Sequence, residues 1–266
     1  MDLELAGKRA IVTGASLGIG KAVSASLAAE GVSVVLAART EADLERAVED
    51  IRATTPEATL VPVVADTGSD DSVRRLVARA TEALGGVDIL VNAAAKAGGQ
   101  ERPPSLFEVT DDLFWPDVNV KVMGYLRCAR EVAPLMTAQG WGRIINVSGL
   151  AARRTGSMIG SMRNVAVVAL SKNLADDLGP QGVNVNVVHP GFTLTEKSSA
   201  FLDRRAADRG VDRSVIEGEM GRGSSIGRLV DAAEVASVVT FLASPKSVAV
   251  NGEVVCCTTA PGAIYY

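Results

Sequence analysis

The sequence predicts an α/β fold: a single doubly wound domain, its parallel seven-stranded sheet covered by helices on both faces. Three observations carry that expectation. Apolar runs of strand length alternate with segments of helical period along the whole chain. Alanine, valine and glycine dominate a composition that is 47% hydrophobic but only 4% aromatic, which suits close packing of helix on sheet. No Gly/Ser-rich or Pro-rich linker and no internal repeat separates two cores, so residues 1–266 read as one domain.

The elements follow in order. "KRAIVTG" is the first strand, followed by a helix from Gly18 to Glu30. "VSVVLAA" is the second, and Thr40 with Asp43 forms a capping box for a helix from Glu41 to Ala53. "ATLVPVVAD" precedes a helix from Asp70 to Leu84, and "VDILVNA" leads into the Gly/Pro-rich loop "AKAGGQERPPS". A long helix spans Pro116 to Ala138, then comes the strand "GRIINVS". A helix from Met158 to Leu178 precedes the strand "VNVNVVHP". Residues 193–227 read as an irregular, charged insertion, either a mobile lid over a substrate or a surface loop. A helix from Asp231 to Leu242 and a strand from Val248 to Val255 close the domain.

Composition excludes several function classes. Net charge is −4 with both signs interspersed, and no basic stripe offers a nucleic-acid surface. The start "MDLELAGKRAIVTG" has acids where a signal peptide carries positive charge, and no apolar run reaches the roughly 18 residues of a membrane span. Cys128, Cys256 and Cys257 have neither disulfide nor metal-ligand spacing, so they read as reduced packing thiols of a cytoplasmic protein with no metal site.

"TGASLGIG", from Thr13 to Gly20, lies between the first strand and the first helix. A tight turn that brings backbone against a pyrophosphate requires glycine, and the helix amino terminus supplies free N–H donors and a favourable dipole. Gly14, Ser16, Leu17, Gly18, Ile19 and Gly20 are therefore candidate nucleotide contacts in a Rossmann-type unit. After the second strand, "LAART" places Ala38 where an NAD-preferring site has a carboxylate, and Arg39 follows. A guanidinium suits a 2′-phosphate, which favours NADP over NAD; an exposed arginine opening a helix is the plainer alternative.

These features, in this order and spacing, resemble the short-chain dehydrogenase/reductase family along nearly the whole chain. The matching pieces are Thr13-Gly14-x-x-x-Gly18-x-Gly20, Asp66 after the third strand, Asn92 ending the fourth, "DVNVKVMG", "SKNLADDLGPQGVNVNVVHPG" and "IGRLVDAAEVASVVTFLAS". The resemblance implies cofactor contacts from Asp66 and Thr67 near adenine, from Asn92, Ala93 and Ala94, and from Pro190, Gly191 and Thr193 beside the nicotinamide. It also implies a homotetramer or homodimer built on the helices that carry Asn119 and Arg163, and a small-molecule substrate, for which Arg153, Arg154 and the space at Gly160 suggest an anionic or bulky one.

The family's hydride-transfer chemistry uses a tyrosine as general acid/base, a lysine that lowers its pKa, a serine that orients the substrate and an asparagine in the proton relay. Asn119 matches the asparagine, but Gly149, Gly160 and Asn164 stand where the serine, tyrosine and lysine belong. No shift of frame recovers Tyr-x-x-x-Lys: the only tyrosines are Tyr125, Tyr265 and Tyr266, and no lysine lies between Lys121 and Lys172. A positioned general acid contributes about 10² to 10⁴ in rate, so the resemblance implies an atypical site rather than ordinary alcohol–ketone chemistry.

Several groups could stand in. Arg163, about 60° round the helix from position 160, could hold a carboxylate or an oxyanion, or serve only as a surface or subunit-contact residue. The Asn164 amide could hydrogen-bond a ribose hydroxyl. Ser148 and Ser161 lack an obvious base, and His189, the only histidine, is either a titrating group or a packed one. Arg153 and Arg154 could attract an anion or simply be solvated, and Gly160 is expected to open space above the nicotinamide. Tyr265 and Tyr266 could reach a neighbouring subunit. The reading is an atypical NADP-dependent oxidoreductase with Asn119, Arg163 and Asn164 at its centre. The alternative is a non-redox lyase, dehydratase or isomerase, or a catalytically inactive cofactor-binding regulator.

Overall fold

The computed structural model describes residues 1–96 and 102–258. Strand and helix alternate as β1 (Arg9–Thr13), α1 (Gly18–Ala29), β2 (Ser33–Ala38), α2 (Glu41–Thr54), β3 (Leu60–Val64), α3 (Asp70–Leu84) and β4 (Ile89–Asn92). The second half runs α4 (Asp111–Val118), α5 (Gly124–Ala138), β5 (Gly142–Val147), α6 (Met158–Leu178) and β6 (Val183–His189). Then come β7 (Thr193–Leu194), α7 (Glu196–Arg209), α8 (Arg213–Gly221), β8 (Val230–Asp231), α9 (Ala232–Ala243) and β9 (Val254–Cys256). Seven strands form one sheet in the order β3-β2-β1-β4-β5-β6-β9, and every neighbouring pair is parallel.

Each central strand buries both faces. In β1 and β2, Val12, Val34 and Leu36 pack with Leu27 of α1, Ile51 of α2 and Val239 of α9. The intervening Ile11, Val35 and Ala37 pack on the other side with Leu76 of α3, Val132 of α5 and Ala175 of α6. This period of two explains why the strands read as unbroken apolar runs. The sheet reverses its winding between β1 and β4, and the crevice beyond their carboxyl ends is where open α/β sheets bind ligands.

At the outer edge, Asn184 and Asn186 of β6 donate from Nδ2 to the carbonyl of Val250, at 2.9 and 2.8 Å, and fasten the segment that returns to form β9.

Four elements differ from expectation. The long helix begins at Asp111, with Pro116 inside it, and continues through a π turn at Asn119–Met123 before α5. Two acids in the first turn offset the helix dipole there, a start signal as effective as the proline. Thr40 precedes α2 but its side chain makes no capping bond, and Asp43 pairs instead with Arg46. Residues 193–227 are largely helical rather than irregular. Thr195 and Ser198 form a capping box for α7, Gly210 ends it at φ +62°, and Asp212 caps α8. Leu202, Ala206, Ile216 and Leu229 give this pair a small core of its own. The last strand is Val254–Cys256 rather than Val248–Val255, because the chain still turns at Val250, whose N–H donates to the Ser247 carbonyl. The middle of the 95–105 loop, Tyr265 and Tyr266 lie outside the described residues.

Candidate functional site

The β1–α1 turn is built for close backbone approach. Gly14 has φ +67°, and a Cβ placed on it would lie 2.8 Å from Ala94 Cα. A Cβ on Gly20 would lie 2.2 Å from the Gly14 carbonyl oxygen, so the helix packs directly on the turn. The Ala93 and Ala94 amides donate to Thr13 Oγ1 at 3.2 and 3.3 Å, tying the β4 end to the same turn.

Leu17 occupies the N-cap of α1 without a side-chain bond, which leaves the first amides of the helix to another partner. That partner is Glu196: Gly18 N–H donates to its Oε2 at 2.9 Å, and Lys21 Nζ donates to its Oε1 at 3.1 Å and to Asp50 at 2.8 Å. Partial desolvation pushes the Glu196 carboxyl upward, but its backbone bond, Lys21 and the Gly18 amide outweigh it and hold it below the usual range. A cavity of about 240 Å³, lined by Gly18, Lys21, Asp50, Leu194 and Glu196 among others, lies beside this contact.

Arg39 is exposed at the end of β2, and Asp66 is exposed after β3, accepting from Gly68 N–H at 2.9 Å. Thr67 is buried and reaches toward the Val120 carbonyl. Asn92 donates from Nδ2 to Asn146 Oδ1 at 2.9 Å, and Asn146 donates to Ser171 Oγ at 2.8 Å. This buried ladder crosses from β4 to α6, and Asn92 Oδ1 has no donor among the described residues. Thr193 Oγ1 donates to the Gly191 carbonyl at 3.0 Å, holding the turn after Pro190.

Asn119 is fully engaged. Its Nδ2 donates to the Gly68 carbonyl at 3.1 Å, Arg127 donates to its Oδ1 at 2.9 Å and to its carbonyl at 3.1 Å, and Gly124 N–H closes the π turn on that carbonyl. Arg163 is 7% exposed and neither solvated nor free: Nη1 pairs with Asp117 of α4, Nη2 donates to the Lys96 carbonyl at 3.4 Å, and Nε has no partner among the described residues.

Asn164 is buried, its Oδ1 has no partner among the described residues, and its Nδ2 lies 3.1 Å from where a Cβ at Gly149 would stand. The expected space at Gly160 is partly filled, since a Cβ there would meet the Ser157 hydroxyl at 2.7 Å while that hydroxyl caps α6 by accepting from Gly160 N–H.

The alternative proton carriers fare unevenly. Ser148 Oγ donates to the Asn164 carbonyl and Ser161 Oγ to the Arg154 carbonyl, both at 3.1 Å, so neither is set against a base. His189 accepts from Gly149 N–H at Nδ1, 3.2 Å away. Burial, then Arg153 and Lys121, lower its pKa to about 4, so it is a neutral packed imidazole. Two buried groups were missed in the sequence. Lys121 Nζ donates to the Ser148 carbonyl and Tyr125 OH to the Val147 carbonyl, each at 2.9 Å. Their i,i+4 spacing with Cys128, Ala129 and Val132 marks one apolar stripe, and that pattern could have placed both inside.

The chain matches the family model described as Enoyl-(Acyl carrier protein) reductase over residues 14–258. It is 36% identical to the short-chain reductase protein NovJ of Streptomyces niveus, over 92% of this chain and 90% of that protein. It is 28% identical to the NADPH-dependent reductase BacG of Bacillus subtilis, over 92% of this chain and 94% of that one. Among solved structures it resembles L-sorbose reductase from Gluconobacter frateurii complexed with NADPH and L-sorbose, with TM-score 0.90, 27% identity and coverage of 96% and 97%.

Proposed function

Because the chain belongs to the short-chain dehydrogenase/reductase family, we propose that it is an NADP(H)-dependent oxidoreductase with an atypical active site. The observation that carries the cofactor reading is the glycine turn, where a side chain at Gly14 or Gly20 would collide with backbone, set at a helix end that already holds a carboxylate. In this reading the amides from Leu17 to Gly20 take the pyrophosphate and Ser16 with Arg39 takes the 2′-phosphate. Asp66 and Thr67 border adenine, while Asn92, Ala93 and Ala94 line the crevice floor. Pro190, Gly191 and Thr193 flank the nicotinamide, and the unpartnered Asn164 Oδ1 accepts from a ribose hydroxyl. Bound there, NADPH supplies a hydride.

The chain's own residues must then hold substrate and proton without a phenol at position 160. Asn119 fixes the loop at Gly68, Arg163 with Asp117 forms a charged wall of the pocket, and Asn164 orients the ribose. Residues 193–227 cover the cleft as a lid hinged beside Thr195. The named relatives are reductases, which supports redox chemistry over a lyase or a silent regulator. A small molecule is the substrate, the protein is cytoplasmic, and no described helix is long and apolar enough to cross a membrane. Leu113, Trp115, Met162 and Val165 are exposed on α4 and α6 and support a homo-oligomer through those helices.

Fluorescence titration with NADPH, NADP⁺ and NADH tests the cofactor assignment. Absorbance at 340 nm over a panel of ketones, aldehydes and enones tests turnover. Tight NADPH binding with no turnover across the panel would remove the oxidoreductase reading and leave the regulator.

A further inference from the structure

Lys121 stands in the π turn with its side chain 4% exposed. An ammonium has three N–H donors, and among the described residues this one makes a single hydrogen bond, to the Ser148 carbonyl at 2.9 Å. Asp117, the acid near enough to act on it, is already paired with Arg163. An unpaired buried ammonium is costly, and the usual escape is loss of the proton. Burial first, and Arg163 second, bring the Lys121 pKa down to about 7 against the opposing pull of Asp117.

Asp117 on α4, Arg163 on α6 and His189 on β6 interact with it electrostatically, Ser148 after β5 accepts its hydrogen bond, and Tyr125 follows it by one turn on α5. Of these, Arg163 is paired with Asp117, His189 is neutral, and burial drives the Tyr125 phenol far up. Lys121 is the member of this group whose charge is free to change near neutrality. Ser148 joins it to the ribose position of that reading: its carbonyl receives Lys121 Nζ, and its hydroxyl donates to the carbonyl of Asn164, whose side-chain oxygen has no partner among the described residues.

We propose that Lys121 is the proton-holding group of this pocket, and that binding of the anionic dinucleotide draws a proton from solvent onto its amine. The inference rests on the NADP(H)-binding reading. The balance is simple: the Nζ lone pair takes one proton from buffer, one N–H bond forms, and nothing is oxidised or reduced. The net negative charge that the bound dinucleotide brings to the crevice favours the ammonium through its field. A reduction consumes one hydride and one proton, and this side chain supplies a place to keep the second.

Calorimetric titration of the full chain with NADPH at pH 7, in buffers of different ionisation enthalpy, counts protons taken up. The wild type should take up about half a proton per site more than Lys121→Arg or Lys121→Met, because a group with pKa near 7 is half empty there. The 2′-phosphate of the ligand contributes equally to all three. Equal uptake in wild type and Lys121→Arg overturns the proposal. Should a variant fail to fold, lysine side-chain NMR on wild type decides. One of the seven lysines should titrate near neutrality without ligand and turn to ammonium when NADPH is added. All seven titrating together near 10 overturns it. Absence of any NADPH binding removes the cofactor reading, while the ligand-free titration still judges Lys121.

Discussion

The Glu196 carboxylate accepts a hydrogen bond from the Gly18 amide at 2.9 Å, so the first turn of α1 meets an internal anion at the end offered to a phosphate. Charge at a helix amino terminus is worth about 0.3–1 kcal/mol, and here it competes with the ligand for the same dipole. Glu196→Gln should therefore lower the Kd for NADPH about two- to fivefold in a fluorescence titration. An unchanged or weaker Kd would show that the contact does not compete. Because the folded-state pKa of Glu196 is lowered, its contribution to stability is present above the ordinary glutamate range and lost as pH falls through the folded value.

Gly20→Ala places a methyl 2.2 Å from the Gly14 carbonyl oxygen, a contact with rigid backbone on both sides. The turn must open, so NADPH affinity should fall at least tenfold while circular dichroism stays native. Retained affinity would mean that the turn is not the phosphate seat.

Asp117→Asn strips the buried Arg163 of its counter-charge. Removing one partner of a buried pair typically costs about 3–5 kcal/mol, and urea unfolding should register a loss of that order. The pair is nearly as buried at one end as the other, with side chains 8% and 14% exposed, so little of that cost is screened.

Lys121 makes stability depend on pH in an unusual direction. Its folded pKa of about 7 lies below the unfolded value, so between those two values the unfolded chain holds the extra proton and stability rises with pH. From pH 7 to 9 this amounts to about 2 kcal/mol, read as a rising urea midpoint. Lys121→Met should lack that rise; an identical pH profile in both proteins would refute the assignment.

The sheet was legible because Val12, Val34, Ile145 and their neighbours alternate between two apolar faces, a pattern that needs no tertiary knowledge. The glycine turn was legible for the same reason: its chemistry is local. The helices α7 and α8 were not, because their sequence is charged and their small core around Leu202 and Ile216 assembles from residues far apart in the segment. The Ser157 hydroxyl that takes up part of the space at position 160 was not legible, since it belongs to an N-cap three residues earlier. Lys121 was passed over because a lysine is normally solvated, and only the packing of two helices against the end of β5 encloses it.

Strand β9 follows every other strand in the chain, yet it alone covers the outer rim of β6. Until it docks, a wholly buried strand, "VNVNVVH", exposes a row of unpaired amides and carbonyls to any other extended chain. Asn184 and Asn186 soften that hazard: polar side chains interrupt the sticky run and then catch the returning segment at Val250. Exchanging both for valine would strip the returning segment of its anchors at Val250 and leave the nascent protein prone to aggregate before its last strand arrives.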